Sequence, residues 1–397
     1  MIRLHGEFMP ACDRYNAGMN IPLQARHHPS GQNSSFAGEG LPFAEYVRKT
    51  EEMLRQMHAG KPDIEKIVAG NAPFELLPTG EFQKGIGKPY HRGVLLTHGL
   101  SDSPYHMRHL GKFFQRNGFR VMAVLLPGHG TQPGDLLDVR WGDWARTVDY
   151  GVQCLAGEVD EVYLAGFSAG AALSLYQAGK DERVKGLFMF SPALAIASRA
   201  RSSHLHRLYS WLLPRSAWLN VMPDLDCYKY ESFCLNAVTQ MWRLTQALPQ
   251  GGLNIPVFVA ASADDATVVS AASLDFLRRV KHSLRQMQWY SVEDPQQADV
   301  EWVKSALPDK RILSSAHTAV VISPDDAHYG EAGEYANCLH YFVSDDEHYA
   351  ACQTSQTAWL GEVTPDNLKY GLLQRLMYNP HYAQMETSMQ DFIERLP

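Results

Sequence analysis

The chain has 397 residues, with 45% apolar and 20% charged side chains and a formal net charge of -7. This length and composition suit one large globular domain with insertions, or two smaller ones. The acidic balance argues against a general nucleic-acid binder, which needs a basic face, and no apolar run is long enough to span a bilayer. Residues 1–20 mix Arg3, His5, Glu7, Asp13 and Arg14 with apolar side chains, so they lack a signal-peptide core. The six cysteines (Cys12, Cys154, Cys227, Cys234, Cys338 and Cys352) show no C-x-x-C spacing. Free thiols and a cytoplasmic location are therefore expected, with a Cys338–Cys352 bridge only in an exported protein.

Residues 1–90 read as an N-terminal extension. Its polar stretch at 25–40 is rich in Gly and Ser and predicts an irregular loop. A helix follows at 43–57, with Phe43, Val47, Met53, Leu54 and Met57 on its apolar face, and then a short strand at 72–77. From Gly93 onward strand and helix signals alternate as in a parallel α/β sheet. Strands are predicted at 93–97, 119–125, 162–165, 184–190 and 255–261, and helices at 104–117, 141–159 and 169–178. Uninterrupted apolar runs in the strands suit a sheet covered on both faces. Between 192 and 254 the pattern turns to aromatic-rich helical sequence, with Tyr209, Trp211, Trp218, Tyr228, Tyr230, Phe233 and Trp242. This block predicts a helical cap over a core built from 91–191 and 255–397. An extra strand and helix are expected at 286–309, a strand at 311–317, and helices in 372–396 interrupted at Pro380.

The strongest local signal is Gly166-Phe167-Ser168-Ala169-Gly170, set between an apolar strand and a helix rich in small residues. A G-x-S-x-G turn in that context lifts the serine above the sheet edge in a strained backbone conformation. Glycines two residues either side remove the collisions such a turn would create. A hydroxyl nucleophile also needs a base, a group to orient that base, and donors for an oxyanion. The strand at 255–261 runs into Asp264 and Asp265, both candidates for the acid; Asp265 is preferred because Thr267, Val268 and a helix follow it. For the base, His317 comes just past the last predicted strand, and His328 is the competitor. Asp265 and His317 stand 52 positions apart, a long interval for two groups that must meet. Backbone N–H groups of Ala169 and Leu100 are the candidate oxyanion donors, with Gly99 allowing close approach of a substrate. Gly99 and Phe167 are the candidate substrate contacts. His98 and His129 read as loop-bracing residues. The histidine and acidic groupings at 27–28, 204–206 and 345–348 have no zinc-protease spacing. No phosphate-binding loop or dinucleotide motif follows a strand. Neither a metal nor a cofactor is therefore expected.

Several motifs occur together in one order. His98-Gly99-Leu100 leads into Ser101-Asp102-Ser103-Pro104, followed by Leu126-Pro127-Gly128-His129-Gly130-Thr131, by Trp141 and Trp144, by the Ser168 elbow and by the Asp265 loop. Over roughly residues 92–322 the chain resembles capped α/β-hydrolases of the monoacylglycerol lipase and carboxylesterase group. The resemblance implies an α/β-hydrolase fold with a mostly parallel central sheet. It also implies a serine nucleophile at Ser168, an acid at Asp265, a base at His317, and oxyanion donors at Leu100 and Ala169. The implied activity is hydrolysis of a small ester or lipid through an acyl-enzyme. The alternatives are an acyltransferase or thioesterase using the same residues, or a non-catalytic binding protein of the same fold.

Overall fold

The computed structural model describes residues 21–80, 82–196, 198–208, 210–297, 300–343 and 345–397. The readings of residues 1–20, with Cys12, and of Tyr209 lie outside the described residues. α1 (Phe43–Met57) and α2 (Ile64–Asn71) precede β1 (Phe74–Leu76) and β2 (Tyr90–Thr97). α3 (Arg108–Arg116), entered through a 3-10 turn at Pro104–Met107, leads to β3 (Arg120–Val124). A longer connection with a 3-10 turn at Pro133–Leu137 leads to α4 (Trp141–Glu158), and β4 (Val159–Phe167), α5 (Ala169–Ala178) and β5 (Val184–Phe190) follow it closely.

The segment after β5 is less helical than its sequence suggests. It holds 3-10 turns at Ser198–Leu208 and Pro214–Ala217, a small antiparallel pair of β6 (Trp218–Asn220) and β7 (Phe233–Cys234), and a single α-helix among its described residues, α6 (Leu235–Ala247). Trp218 and Tyr228 are buried, whereas Trp211 is 73% exposed, so the aromatics of this segment do not form one common core.

β8 (Val257–Ser262) and α7 (Ala271–Arg279) resume the alternation. β9 (Arg285–Ser291) and β10 (Glu301–Lys304) then extend the sheet. Two strands and a 3-10 turn at Pro308–Lys310 thus stand where a strand and a helix were expected. Residues 311–317 are not a strand either. Among the described residues they make only isolated bridges, Ile312 with Leu307 and with Leu360, and do not join the main sheet at β10. The remainder comprises α8 (Leu339–Phe342), α9 (Asp346–Thr354), β11 (Trp359–Gly361), β12 (Leu373–Arg375) and α10 (Tyr382–Glu394). The expected helices at 372–396 are therefore a short strand and one helix, with Pro380 between them.

Among the described residues the main sheet has eight strands, in the order β1-β3-β2-β4-β5-β8-β9-β10. Only β1, contributed by the N-terminal segment, runs antiparallel to its neighbour. Alternation along each strand sends side chains to opposite faces. On β4, Val162 and Leu164 join a cluster with Val148, Val152 and Leu173 from α4 and α5. Tyr163, Ala165 and Phe167 join Phe113, Phe114 and Phe392 from α3 and α10. Both faces being covered explains the continuous apolar strands. β11 and β12 form a separate parallel pair.

Cys338 and Cys352 are disulfide-bonded, which departs from the expectation of free thiols. The bond joins the residue preceding α8 to α9. No helix among the described residues is long and apolar enough to cross a membrane.

Candidate active site

Ser168 sits between the end of β4 and the first turn of α5 with φ 53° and ψ −113°, in the left-handed half of backbone space. Such a conformation costs a non-glycine residue about 1–3 kcal/mol and persists only where its surroundings hold it. The Ser168 N–H donates to the Phe190 carbonyl at 2.9 Å. The Ser168 carbonyl accepts from Ala171, Ala172 and Ala193 at 3.1–3.2 Å. The flanking glycines are required by contact. A Cβ at Gly166 would lie 2.4 Å from the Gly170 carbonyl carbon, and one at Gly170 would lie 2.0 Å from the Thr97 oxygen. The turn can close only because both positions lack a side chain.

The Ser168 hydroxyl lies 2.9 Å from Nε2 of His317, and Nδ1 of the same ring lies 2.5 Å from Oδ2 of Asp265. The second Asp265 oxygen accepts from the backbone N–H groups of Thr267 (2.7 Å) and Val268 (3.1 Å). Burial pushes the Asp265 carboxyl up, but the His317 ring and the two amides outweigh it and hold it below the ordinary aspartate value. Ser168 and His317 are 7% and 5% exposed, so the group is almost closed to water.

The two competitors go elsewhere. Asp264 accepts from the Ser305 hydroxyl (2.6 Å) and the Ser315 N–H (3.0 Å), bracing the loop before His317, and burial raises its carboxyl above the ordinary range. His328 contacts Asp226 at 3.2 Å and Glu334 at 2.9 Å. Burial lowers the His328 ring's pKa, and these two carboxylates more than reverse the effect. Asp226, His328 and Cys227 bring donor atoms within 4.8 Å of one another. Asp226 is already satisfied, however, by the Tyr329 hydroxyl (2.7 and 2.9 Å) and the Tyr228 N–H (2.9 Å). That cluster reads as a buried hydrogen-bonded network.

Leu100 is half-buried in the loop after β2, and the start of that loop, at Thr97 and His98, lies against Gly170 in the first turn of α5. His98 and His129 brace this loop from below. Nε2 of His98 accepts from Leu126 N–H at 3.0 Å, and Nε2 of His129 accepts from Ser101 N–H at 3.1 Å. Burial holds both rings well below the usual imidazole range, His129 at about 4, so each accepts as a neutral ring. Gly99 is needed for a reason other than substrate approach: a Cβ there would lie 2.2 Å from Asp102 Oδ2.

Phe167 requires a correction. Its side chain has no exposed surface and packs against the His317 ring with centroids 5.2 Å apart, so it lies under that ring and not at an open surface. Odd and even residues of β4 face opposite sides of the sheet, and Phe167 points into the α3–α10 side.

Sequence reasoning missed three groups. Lys229 pairs with buried Asp102, and the Tyr230 N–H donates to the Ser101 carbonyl at 2.8 Å, which stitches the 192–254 segment to the Leu100 loop. Glu362 and Arg375, far along the chain, form an ion pair behind His317. No motif spacing marks such pairs. A cleft of about 530 Å³ lined by Leu175, Leu194, Leu248 and Phe276 contains neither Ser168, Asp265 nor His317.

Among curated proteins, the chain is 32% identical over 108 residues to a thermostable monoacylglycerol lipase of Bacillus sp. (strain H-257), a match covering 27% of this chain and 43% of the relative. It is 29% identical over 108 residues to a carboxylesterase of Bacillus subtilis (strain 168), covering 27% and 44%. The matched region spans less than half the length of either relative. A solved structure of the metagenome-derived lipolytic enzymes LipS and LipT aligns with a TM-score of 0.46 and 22% identity, over 55% of this chain and 87% of that one. The family model described as serine aminopeptidase, S33, matches residues 88–292. That stretch is just over half of the chain. It takes in the parallel strands from β2 to β9 with the Ser168 elbow and the Asp265 loop, and stops short of His317. By this match and by its mostly parallel sheet with helices on both faces, the chain belongs to the serine aminopeptidase, S33, family of α/β-hydrolases.

Proposed function

We propose that the protein is a serine hydrolase of carboxylic esters that works through an acyl-enzyme on Ser168. The observation that carries this reading is the Ser168 hydroxyl 2.9 Å from one nitrogen of His317, whose other nitrogen rests on Asp265. His317 takes the Ser168 proton as the oxygen attacks the ester carbonyl. The tetrahedral oxyanion is received by the Leu100 and Ala169 N–H groups, each worth about 3 kcal/mol in comparable sites. The positive end of α5 adds to the same field. His317 then protonates the departing alcohol. Water, deprotonated by His317, releases the acid and restores Ser168. Asp265 holds the ring tautomer and stabilises its protonated form.

Ester specificity is supported by the names of the two curated relatives, a monoacylglycerol lipase and a carboxylesterase. We read the 192–254 segment as a cap, because it is bonded directly to the Leu100 loop through Lys229 and Tyr230. Residues 1–90 then form an extension on the β1 edge. An apolar acyl ester, monoacylglycerol-like or of medium chain length, suits a nucleophile so far removed from water.

The test is labelling with a fluorophosphonate probe, followed by turnover of p-nitrophenyl esters of graded chain length. Wild type should label, and Ser168→Ala and His317→Ala should not, while His328→Ala should label at close to the wild-type rate. Equal labelling of Ser168→Ala, or loss of activity in His328→Ala with retention in His317→Ala, would overturn the assignment. Cleavage of aminoacyl anilides in preference to esters would move the substrate class from esters to amides.

A further inference from the structure

We propose that the Glu362–Arg375 ion pair is a positioning device that holds His317 and Asp265 in register with each other. The inference rests on the serine-hydrolase reading above and assigns a role to the chain beyond residue 322. Asp265 and His317 are 52 positions apart, so chain connectivity does little to fix their separation.

The Glu362 carboxylate is buried, and it accepts the backbone N–H of His317 at 3.3 Å and that of Val363 at 2.9 Å. Arg375 presents two nitrogens to it: Nε lies 2.9 Å from Oε1, and a terminal nitrogen lies 2.9 Å from Oε2. The same guanidinium donates to the Thr267 hydroxyl at 2.8 Å. Thr267 in turn gives its backbone N–H to Asp265 at 2.7 Å. A closed circuit results, running from Asp265 through Thr267, Arg375 and Glu362 to His317, and back through the 2.5 Å contact between His317 and Asp265. One ion pair therefore touches the base through its backbone and the acid through its loop.

The pair is itself anchored. Gly361, the residue before Glu362, is paired with Arg375 across β11 and β12. The Arg375 N–H donates to the Asn337 carbonyl, and the Glu362 N–H donates to the Ser314 hydroxyl. One charge-assisted hydrogen bond, from the terminal nitrogen to Oε2, is joined by Nε within ion-pair distance of Oε1, a planar two-point contact that a single-point ammonium cannot make. Reacting groups tolerate little displacement, since about 1 Å of error can cost a hundredfold in rate. A buried ion pair contributes little net stability but is costly to break on one side. That cost is acceptable where geometry is the gain.

The test measures kcat and KM on a p-nitrophenyl ester, normalised to active sites titrated with a fluorophosphonate, for Thr267→Val, Glu362→Gln, Arg375→Lys and Arg375→Ala. Thr267 is exposed, so Thr267→Val opens the circuit without disturbing the buried pair. It should lower kcat per titrated site about threefold to tenfold with KM within twofold. Glu362→Gln keeps an acceptor for His317 and loses the charge, and should lower kcat about tenfold or more. Arg375→Lys should fall between wild type and Arg375→Ala. The double variant Thr267→Val/Glu362→Gln should lose less than the product of the single losses, because both open one circuit.

If kcat per titrated site stays within twofold in Thr267→Val and Glu362→Gln while melting temperature falls, the pair is only structural and the proposal is wrong. Multiplicative losses in the double variant would also overturn it. Ser168→Ala is the separate control: if it still labels, the hydrolase reading fails, whatever the Glu362 variants do.

Discussion

Gly170→Ala adds one methyl group at the start of α5, and the structure sets what it meets. The new Cβ would lie 2.0 Å from the Thr97 oxygen, 2.5 Å from the Thr97 carbonyl carbon and 2.6 Å from the His98 oxygen. Ordinary contact begins near 3.4 Å, so the strand end must recede by about 1.4 Å. Every obstructing atom is backbone, and Thr97 is paired with Val124 on one side and Gly166 on the other. It cannot withdraw without weakening ladder hydrogen bonds worth about 0.5–1.5 kcal/mol each. Added to an overpacking cost of about 1–3 kcal/mol, the loss should be about 3 kcal/mol in urea denaturation. Turnover should suffer more, because the displaced segment carries Leu100. A fall of about a hundredfold in kcat/KM is expected for a 1 Å shift near reacting groups. Gly142→Ala is the matched control. It lies in α4 with nothing within 4 Å of its added Cβ, so it should be neutral or stabilise by up to about 1 kcal/mol. If Gly170→Ala keeps wild-type stability and turnover, the argument that contact forces glycine into this elbow is refuted.

Asp265→Asn should reduce kcat about ten-thousandfold, as expected when a base loses the partner that fixes its tautomer. Asp264→Asn should stay within a few fold in kcat and lose about 1 kcal/mol in denaturation, since it only braces Ser305 and Ser315. Glu231 is pushed up to about 7 by burial, against help from the Tyr335 hydroxyl and the Leu225 N–H. A carboxyl raised in the folded state is neutral there below pH 7 and destabilises increasingly from its unfolded value, about 4.3, up to 7, then by a constant amount. Glu231→Gln should therefore raise the melting temperature at pH 8 and leave it unchanged at pH 4; a gain at both would break the linkage argument. Reducing the Cys338–Cys352 bond, which closes a loop with a sequence separation of 14, should cost about 3 kcal/mol. The check is that dithiothreitol shifts the melting curve of wild type but not of a Cys338→Ala/Cys352→Ala variant.

What could be read from sequence was whatever is written in short windows. The 43–57 and 169–178 helices and the 184–190 strand have the predicted bounds, because each carries its period in contiguous residues and is bounded by turn residues. The elbow was legible for the same reason: Gly166, Ser168 and Gly170 meet one another within one turn. Phe167 was misread because its neighbours were legible but its direction was not. Only the register of β4 decides that it joins the α3–α10 side of the sheet and lies under His317. The 311–317 segment reads as a strand that ends in small residues and a histidine, yet strand pairing is decided by distant partners. Ile312 finds single-bridge partners in Leu307 and Leu360 instead of a place in the main sheet.

The Glu362–Arg375 pair marks where local reading ends, and it also bears on how the long interval before His317 is tolerated. In that interval β9 and β10 extend the sheet by two strands, carrying the chain away from the Ser168 elbow before it returns. His317, returning from so far, is held by more than its own loop. The chain holds it from both sides: Ser191 donates its hydroxyl to the His317 carbonyl at 3.0 Å, and Glu362 accepts the His317 N–H. One contact comes from the end of the strand next to the elbow. The other comes from beyond the family match, which ends at residue 292. On the proposal above, the C-terminal segment supplies through hydrogen bonds the positioning of His317 that the long interval after Asp265 does not.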